Sequence, residues 1–236
     1  MRIVQISDSH ISVKNPARTA DLANGIEAIN AISPTVDLVV HTGDIVHDGL
    51  QEEYAIAKEL LDTLSAPYKV LAGNRDNRQL LMETFAEHIA VDQSAEFVQY
   101  SVEDYPARLL MLDTVNTASK GAMCESRLAH TRQMLSVDSQ KPVIVFMHHN
   151  PFEASEIPDP FQFEDWSDVE KLLEIFATSN QIRAVYCGHI HRNVDAVIGN
   201  NLSVSTISCM ASDLRKGQLS EHDRTRPMFK VIELNQ

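Results

Sequence analysis

The stretch "VLAGNRDN", residues 70–77, begins as a buried strand and ends as a strand should not. Val70, Leu71 and Ala72 are apolar. Gly73 breaks the run, and an amide, a guanidinium and a carboxylate follow at Asn74, Arg75 and Asp76. Gly, Asn and Asp are ordinary turn residues, so a surface turn would account for the triplet by itself. The reading changes because the pattern recurs. "IVQIS" runs into Asp8-Ser9-His10, "LVVHT" into Gly43-Asp44, "VIVFM" into His148-His149, and "AVYC" into Gly188-His189-Ile190-His191. Five apolar runs thus end in Asp, His or Asn. Three of them place a glycine immediately before the polar group, where the backbone must turn sharply or approach something closely.

Working outward, the first half alternates strand and helix patterns. Ile3–Ile6, "VDLVVH" and "YKVLAG" read as strands. Helical periodicity covers Ala17–Ile32, with Leu22, Ile26 and Ile29 on one stripe. It covers Glu52–Leu64, with Tyr54, Ala57, Leu60 and Leu61 inward, and about Asn77–His88. This order favours βαβ units. "EFVQYSV" and "ARLLMLD" read as neighbouring antiparallel strands. Arg127–Leu135 and Asp168–Thr178 are helical, and "PVIVFMHH" and "IRAVYCGH" are strands. From His191 onward the pattern is all-β, with "GNN" at 199–201 as a turn. No linker, repeat or low-complexity tract divides the chain, so a single domain over 1–236 is expected.

In open α/β sheets, ligands bind outside the carboxyl ends of the strands. Seven side chains then converge: Asp8, His10, Asp44, Asn74, His148, His189 and His191. All are oxygen or nitrogen donors suited to divalent transition metals. Seven exceed the usual complement of one zinc but fit two metals sharing a bridging carboxylate. A metal pair about 3.5–4 Å apart is a common device for phosphoester hydrolysis. Taken singly, each motif is weak: D-x-H is frequent, and Gly43-Asp44 reads as a turn. Their ordered occurrence at five strand ends is what carries weight. His88, His130 and His222 match nothing and are expected at the surface.

Composition sets outer bounds. Twenty basic against thirty-three acidic side chains give a net charge of −13. That disfavours non-specific binding to nucleic acid or an anionic membrane. An anionic substrate would need locally fixed positive charge, which bound metal ions can supply. The three cysteines, Cys124, Cys187 and Cys209, are scattered and odd in number, which argues against a disulfide framework. "MRIVQISD" reads as a strand from its second residue, so no signal peptide is expected, and no apolar run approaches a membrane span. The expected setting is cytoplasmic; a homodimer stays open.

The motif set resembles the calcineurin-like metallophosphoesterase superfamily, whose pattern is D-x-H, G-D, G-N-H-[DE], H and G-H-x-H. This chain supplies Asp8-Ser9-His10, Gly43-Asp44-Ile45-Val46-His47, Gly73-Asn74-Arg75-Asp76, His148 and Gly188-His189-Ile190-His191. The closer likeness is to bacterial class III cyclic nucleotide phosphodiesterases and related glycerophosphodiesterases, through "HTGDIVHDGLQEEY", "LDTVNTASKGAM" and "MHHNPF". The resemblance implies a four-layer αββα sandwich of two packed mixed β-sheets flanked by helices. It implies one metal held by Asp8, His10, Asp44 and His191, and a second by Asp44, Asn74, His148 and His189. Asp44 would bridge them, and a hydroxide between the metals would be the nucleophile. The metals would be divalent manganese, iron, zinc or cobalt. The substrate would be a small phosphodiester, foremost a 3′,5′-cyclic nucleotide.

Arg75, Asn74 and His149 are the candidates for acting on the substrate. Asn74 donates a carbonyl oxygen without adding charge. His149 directly follows His148, and adjacent residues on a strand point to opposite faces. It is therefore expected outside the metal ligands, at the edge of the cluster, unless a turn brings both inward. Arg75 departs from the family's usual His. It cannot be a general acid near neutral pH, but it can grip a phosphate oxygen bidentately. The alternative is a structural salt bridge with Asp76. The same G-N-R-D variant marks UDP-2,3-diacylglucosamine pyrophosphohydrolases, which typically carry M-H-G-D where this chain has Met147-His148-His149-Asn150. A scaffold that kept the fold and lost catalysis should have lost ligand positions, and all seven are filled here. Residues 211–226 read as a loop that borders the site.

Overall fold

The structure is a computed structural model and describes residues 1–91, 94–137, 140–154, 159–217 and 219–234. Its first sheet has the order β10-β1-β2-β3. β1 (Arg2–Ile6), β2 (Leu38–His41) and β3 (Tyr68–Val70) run parallel, and β10 (Lys230–Glu233) pairs antiparallel with β1. The second sheet has the order β4-β5-β6-β7-β9-β8. β5 (Arg108–Leu112), β6 (Val143–Met147), β7 (Ile182–Cys187) and β9 (Leu202–Thr206) are parallel. β4 (Tyr100–Val102) and β8 (Val194–Ile198) close its two edges antiparallel. Both sheets are therefore mixed, as the sequence led one to expect.

The layering follows from side-chain alternation. On β5 and β6, Leu109, Met111, Ile144 and Phe146 join the core that also holds the first sheet. Leu110, Leu112, Val145 and Met147 point to the other face. The first core is covered by α1 (Pro16–Asn30), α2 (Gln51–Leu61) and α3 (Arg78–Thr84), through Leu22, Ile26, Ile29, Tyr54, Ala57, Leu61 and Leu81. The second is covered by α4 (Glu125–Leu135) and α5 (Trp166–Ala177), through Leu128, Val169, Leu172 and Phe176. The order is helices, sheet, sheet, helices. β6 is buried along its whole length, which is why "VIVFM" shows no polar alternation.

Three expectations need correction. The segment after His191 is not all-β: a 3₁₀ turn at Ser212–Leu214 and α6 (Glu221–Thr225) interrupt it. Ser220 caps α6 by accepting a hydrogen bond from the Asp223 amide, but five residues are too few to show helical periodicity. Within the 211–226 loop, residue 218 lies outside the described residues. The helix expected over 77–88 ends at Thr84. His88 is half-buried rather than superficial, stacked on Tyr68 with ring centroids 3.7 Å apart. His130 and His222 are exposed. No helix among the described residues is long and apolar enough to cross a membrane.

Candidate metal centre

The parallel strands of the two sheets deliver their carboxyl ends to one place. β1 brings Asp8 and His10, β2 Asp44, β3 Asn74, β6 His148, and β7 His189 and His191. All seven side chains are buried. The local backbone is unusual. Asp8, His10, Asp44, His189 and His191 all have φ between 45° and 72°. This left-handed region costs an ordinary L-residue roughly 1–2 kcal/mol, and such strain concentrates at functional sites. Tertiary hydrogen bonds hold it. Asp8 N donates to Gly43 O at 3.0 Å, His10 N to Asp44 O at 3.0 Å, and His189 N to Asp8 Oδ2 at 3.0 Å.

All three motif glycines are explained by close approach: a Cβ on Gly43 would lie 2.7 Å from Gly73 N and 2.8 Å from His148 Nδ1. A Cβ on Gly73 would lie 2.2 Å from Asp44 Oδ1, and one on Gly188 would lie 1.9 Å from Ser7 Oγ and 2.6 Å from Asp8 Oδ2. Strand ends from both sheets are thus packed directly onto the two carboxylates.

The donors form two sets. Nδ1/Nε2 or carboxylate atoms of Asp8, His10, Asp44 and His191 lie within 4.8 Å of one another, as do those of His148, His149 and His189. In the first set His10 Nε2 is 3.1 Å from His191 Nε2, 3.6 Å from Asp44 Oδ2 and 3.8 Å from Asp8 Oδ1. His191 Nε2 is 3.3 Å from Asp8 Oδ1. On the other side His148 Nε2 and His189 Nδ1 each stand 3.0 Å from Asn74 Oδ1, and His148 Nε2 is 3.5 Å from Asp44 Oδ1. Donors about 2.1 Å from one ion stand about 3.0 Å apart at octahedral angles and about 3.4 Å at tetrahedral ones. The 3.0–3.5 Å separations observed here match such edges, and those from His10 to Asp44 and Asp8, 3.6 and 3.8 Å, are longer.

Outer partners fix which nitrogen faces inward. His148 Nδ1 lies 2.8 Å from Thr42 O, and His191 Nδ1 3.0 Å from Leu214 O. A carbonyl only accepts, so both rings carry a proton on Nδ1, and in its neutral form each turns an Nε2 lone pair to the cluster. The Leu214 contact also bears out the expectation that the 211–226 segment borders the site. Among the described residues, a cleft of about 300 Å³ beside Phe176, Ile198 and Leu202 is lined by no titratable group.

Comparison with known proteins agrees with the geometry. The calcineurin-like phosphoesterase family matches residues 1–193. The chain belongs to that family. It is 32% identical to a probable glycerophosphodiester phosphodiesterase GpdQ of Arcobacter nitrofigilis, over 98% of this chain and 88% of that one. It is 27% identical to the 3′,5′-cyclic adenosine monophosphate phosphodiesterase CpdA of Pseudomonas aeruginosa, over 99% and 85%. Among solved structures, a dimetal phosphatase from Danio rerio superposes with a TM-score of 0.74 at 13% identity, covering 98% of this chain and 91% of that one. That likeness concerns the fold. The protein is thus an enzyme of the calcineurin-like phosphoesterases, a family that uses a dinuclear divalent metal site, and it carries the donor groups for one.

The electrostatics of this phosphoesterase are those of a site built for cations. Burial alone would raise the Asp8 carboxyl, but the charges of His191, His148 and His10 and the His191 contact outweigh it and hold Asp8 well below the usual range. His191 responds in kind: burial opposes its imidazolium, yet Asp8 lifts it well above an ordinary histidine. Burial and the neighbouring Asp8 charge push Asp44 up to about 7. Burial drives His10 and His149 well below the ordinary value.

Two expectations about single residues change. His149 does not point away from His148. β6 ends at Met147, and a bend at 148–149 turns both rings inward, 5.0 Å apart, with His149 4.4 Å from His189. Thr114 Oγ1 lies 2.8 Å from its Nδ1, and its buried Nε2 has no hydrogen-bond partner among the described residues. The Arg75–Asp76 salt bridge does not form. Asp76 accepts instead from the amides of Gly73, Ile45 and Val46 and from Tyr54 Oη, and so shapes the turn. The Arg75 amide donates to Asp44 Oδ1 at 2.7 Å, while its side chain is exposed with Cζ 5.6 Å from the Phe161 ring. It stands in no ion pair among the described residues. The part Asp76 plays in the turn, the place of His47 beside His10 and the 2.5 Å contact of Asp159 with His189 do not follow from the sequence. His47 was visible in the G-D-I-V-H string, and its Nδ1 is 3.4 Å from His10 Nδ1. Asp159 carried no sequence signal at all.

Proposed function

We propose that the protein is a dinuclear metal-dependent phosphodiesterase acting on a small diester, a 3′,5′-cyclic nucleotide or a related diester such as a glycerophosphodiester. One cation would be held by Asp8, His10, Asp44 and His191, the other by Asp44, Asn74, His148 and His189. The observation that carries this reading is Asp44. Its Oδ2 faces His10 at 3.6 Å and its Oδ1 faces His148 at 3.5 Å, so one carboxylate serves both donor sets. The printed activities of the GpdQ and CpdA relatives support the diester. The nitrogen and oxygen donors suit manganese, iron, zinc or cobalt.

Two cations held by these residues would supply a lowered pKa for water, polarisation of the phosphoryl oxygen and stabilisation of charge developing in the transition state. The chain's own residues do the rest. The buried polypeptide around the donors excludes bulk water. Arg75, exposed at the mouth and free of ion pairs among the described residues, offers its guanidinium to the phosphate. His149 Nε2, without a partner among the described residues, is placed to orient it. The pyrophosphohydrolase alternative rests on Arg75 alone, since His149-Asn150 departs from that branch's Gly-Asp.

The test is a chelator-stripped protein reloaded with manganese, iron, zinc or cobalt and assayed on cyclic AMP, a glycerophosphodiester, a nitrophenyl diester and a nitrophenyl monoester. Activity should return only on reloading and favour diesters. Turnover that survives chelation, or that is confined to monoesters, overturns the reading.

A further inference from the structure

His189 receives a different outer partner from its neighbours. Its Nδ1 faces Asn74 Oδ1 at 3.0 Å, toward the centre. On the far side its Nε2 meets Asp159 Oδ2 at 2.5 Å, with both side chains about 5–6% exposed. Neither atom has an aligned hydrogen-bond partner among the described residues, so the contact is one of charge and proximity. His148 and His191 meet backbone carbonyls in the corresponding place. Among the described residues, His189 is the one histidine of the centre whose outward nitrogen meets a carboxylate.

We propose that Asp159 is a positioning residue of the metal centre: it fixes the His189 tautomer that turns Nδ1 toward a metal, and it ties the loop over residues 159–164 to that histidine. This rests on the dinuclear reading above. A carboxylate cannot donate, so the contact demands the ring proton on Nε2. The Nδ1 lone pair then confronts the Asn74 carbonyl oxygen at 3.0 Å. Two acceptors at that distance repel, and a cation between them removes the conflict. A carboxylate behind a metal-bound histidine also orients the ring and raises its basicity.

The loop has a second attachment to the site. Asp159 Oδ1 accepts from the Phe161 amide at 2.9 Å, which sets the turn that places the Phe161 ring beside Arg75. Its other end is pinned to Gly121, whose amide donates to Phe161 O and whose carbonyl accepts from Glu164 N. One short segment therefore touches the outward nitrogen of a candidate metal ligand and the candidate phosphate clamp.

The experiment is calorimetric titration of the chelator-stripped full chain with manganese, followed in parallel by the spin-coupled manganese-pair signal in electron paramagnetic resonance. The wild type should take up two ions. Asp159→Asn keeps the shape and loses the charge, and its amide can present a donor that favours the wrong tautomer. One affinity should fall 10–100-fold while the other holds within about twofold, and the coupled-pair signal should need correspondingly more manganese. Asp159→Glu should recover most of the loss. Glu164→Ala cuts the loop's side-chain ties to Asn116 and Lys120 without touching His189, and should leave both affinities unchanged. Wild-type affinities in Asp159→Asn overturn the proposal, and so does an equal loss in Glu164→Ala, which would make the effect one of general loop order. Fewer than two ions in the wild type would instead overturn the dinuclear reading itself.

Discussion

Metal loading of this protein should release protons, in a number that depends on pH in a way the centre itself sets. In the metal-free chain, burial and the Asp8 charge push Asp44 up to about 7, and Asp8 lifts His191 well above the ordinary imidazole range. A metal needs Asp44 as carboxylate and His191 neutral. At pH 6 Asp44 is roughly nine-tenths protonated, and at pH 8 roughly one-tenth. Loading at pH 6 should therefore displace about two protons, one from each group, and at pH 8 about one or fewer. Competition from the Asp44 proton alone should weaken apparent affinity about tenfold at pH 6 relative to pH 8. The count comes from calorimetric titration with manganese in buffers of differing ionisation enthalpy. An unperturbed aspartate would release nothing at pH 6. The sign carries over to stability. A folded-state carboxyl pKa raised above the unfolded value contributes stability that is present below about pH 4 and lost as pH rises through 7. For one such group this reaches up to about 4 kcal/mol. Between pH 6 and pH 8 this Asp44 share falls, while His10 and His149, held neutral by burial, act in the opposite sense; in the loaded protein the Asp44 share should be absent. Equal proton counts at both pH values would refute the placement of Asp44 at the heart of the site.

Two further outcomes follow from the geometry. Arg75→Ala should retain metal and lower kcat and kcat/KM together by roughly ten- to a hundredfold, the worth of a lost charge-assisted hydrogen bond; Arg75→His should add an ionisation near the histidine range to the pH profile of a cyclic nucleotide but hardly affect a nitrophenyl diester, and unchanged kinetics in the alanine variant would return Arg75 to an ordinary surface residue. Gly188→Ala places a methyl 1.9 Å from Ser7 Oγ and 2.6 Å from Asp8 Oδ2, both in buried residues; overpacking of about 1–3 kcal/mol should lower the melting temperature by roughly 2–12 °C and weaken metal uptake, and a variant with wild-type stability and loading would show that the strand end has room to spare.

How far the site could be read in advance depended on where each residue sits. The strands over 3–6, 38–41, 68–70, 143–147 and 182–187 show as apolar runs, and the polar residues just past them inherit their placement from the sheet. That is why Asp8, Asp44, Asn74 and His189 are legible. The reasoning failed where the strand had already ended. Period-two alternation sends His149 away from His148, but the chain bends after Met147 and both rings turn inward. Arg75–Asp76 looks like a local ion pair because the two are adjacent; of the groups that satisfy Asp76 only the Gly73 amide is local, while the Ile45 and Val46 amides and Tyr54 Oη come from 31, 30 and 22 residues away. Asp159 lies thirty residues from His189 on a loop with no periodicity, and only the folded chain brings them together.

The features that make the centre costly to fold are the same ones that make it bind cations. Five of its residues hold left-handed backbone conformations, two carboxylates are buried within one cluster, and acceptor nitrogens of His148 and His189 face Asn74 Oδ1 at 3.0 Å. Without compensation each of these opposes the folded state. A cation placed between the facing lone pairs turns repulsion into coordination and supplies the charge that the carboxylates lack. Ligand linkage then stabilises the fold by about 2.7 kcal/mol for each ion present at a hundred times its dissociation constant. The glycines at 73 and 188, which let strand ends press onto Asp44 and Asp8, serve this arrangement and not the sheets. Metal affinity and fold stability are in this protein two measurements of one set of contacts, so a substitution that relaxes the strand ends should be read by its effect on both.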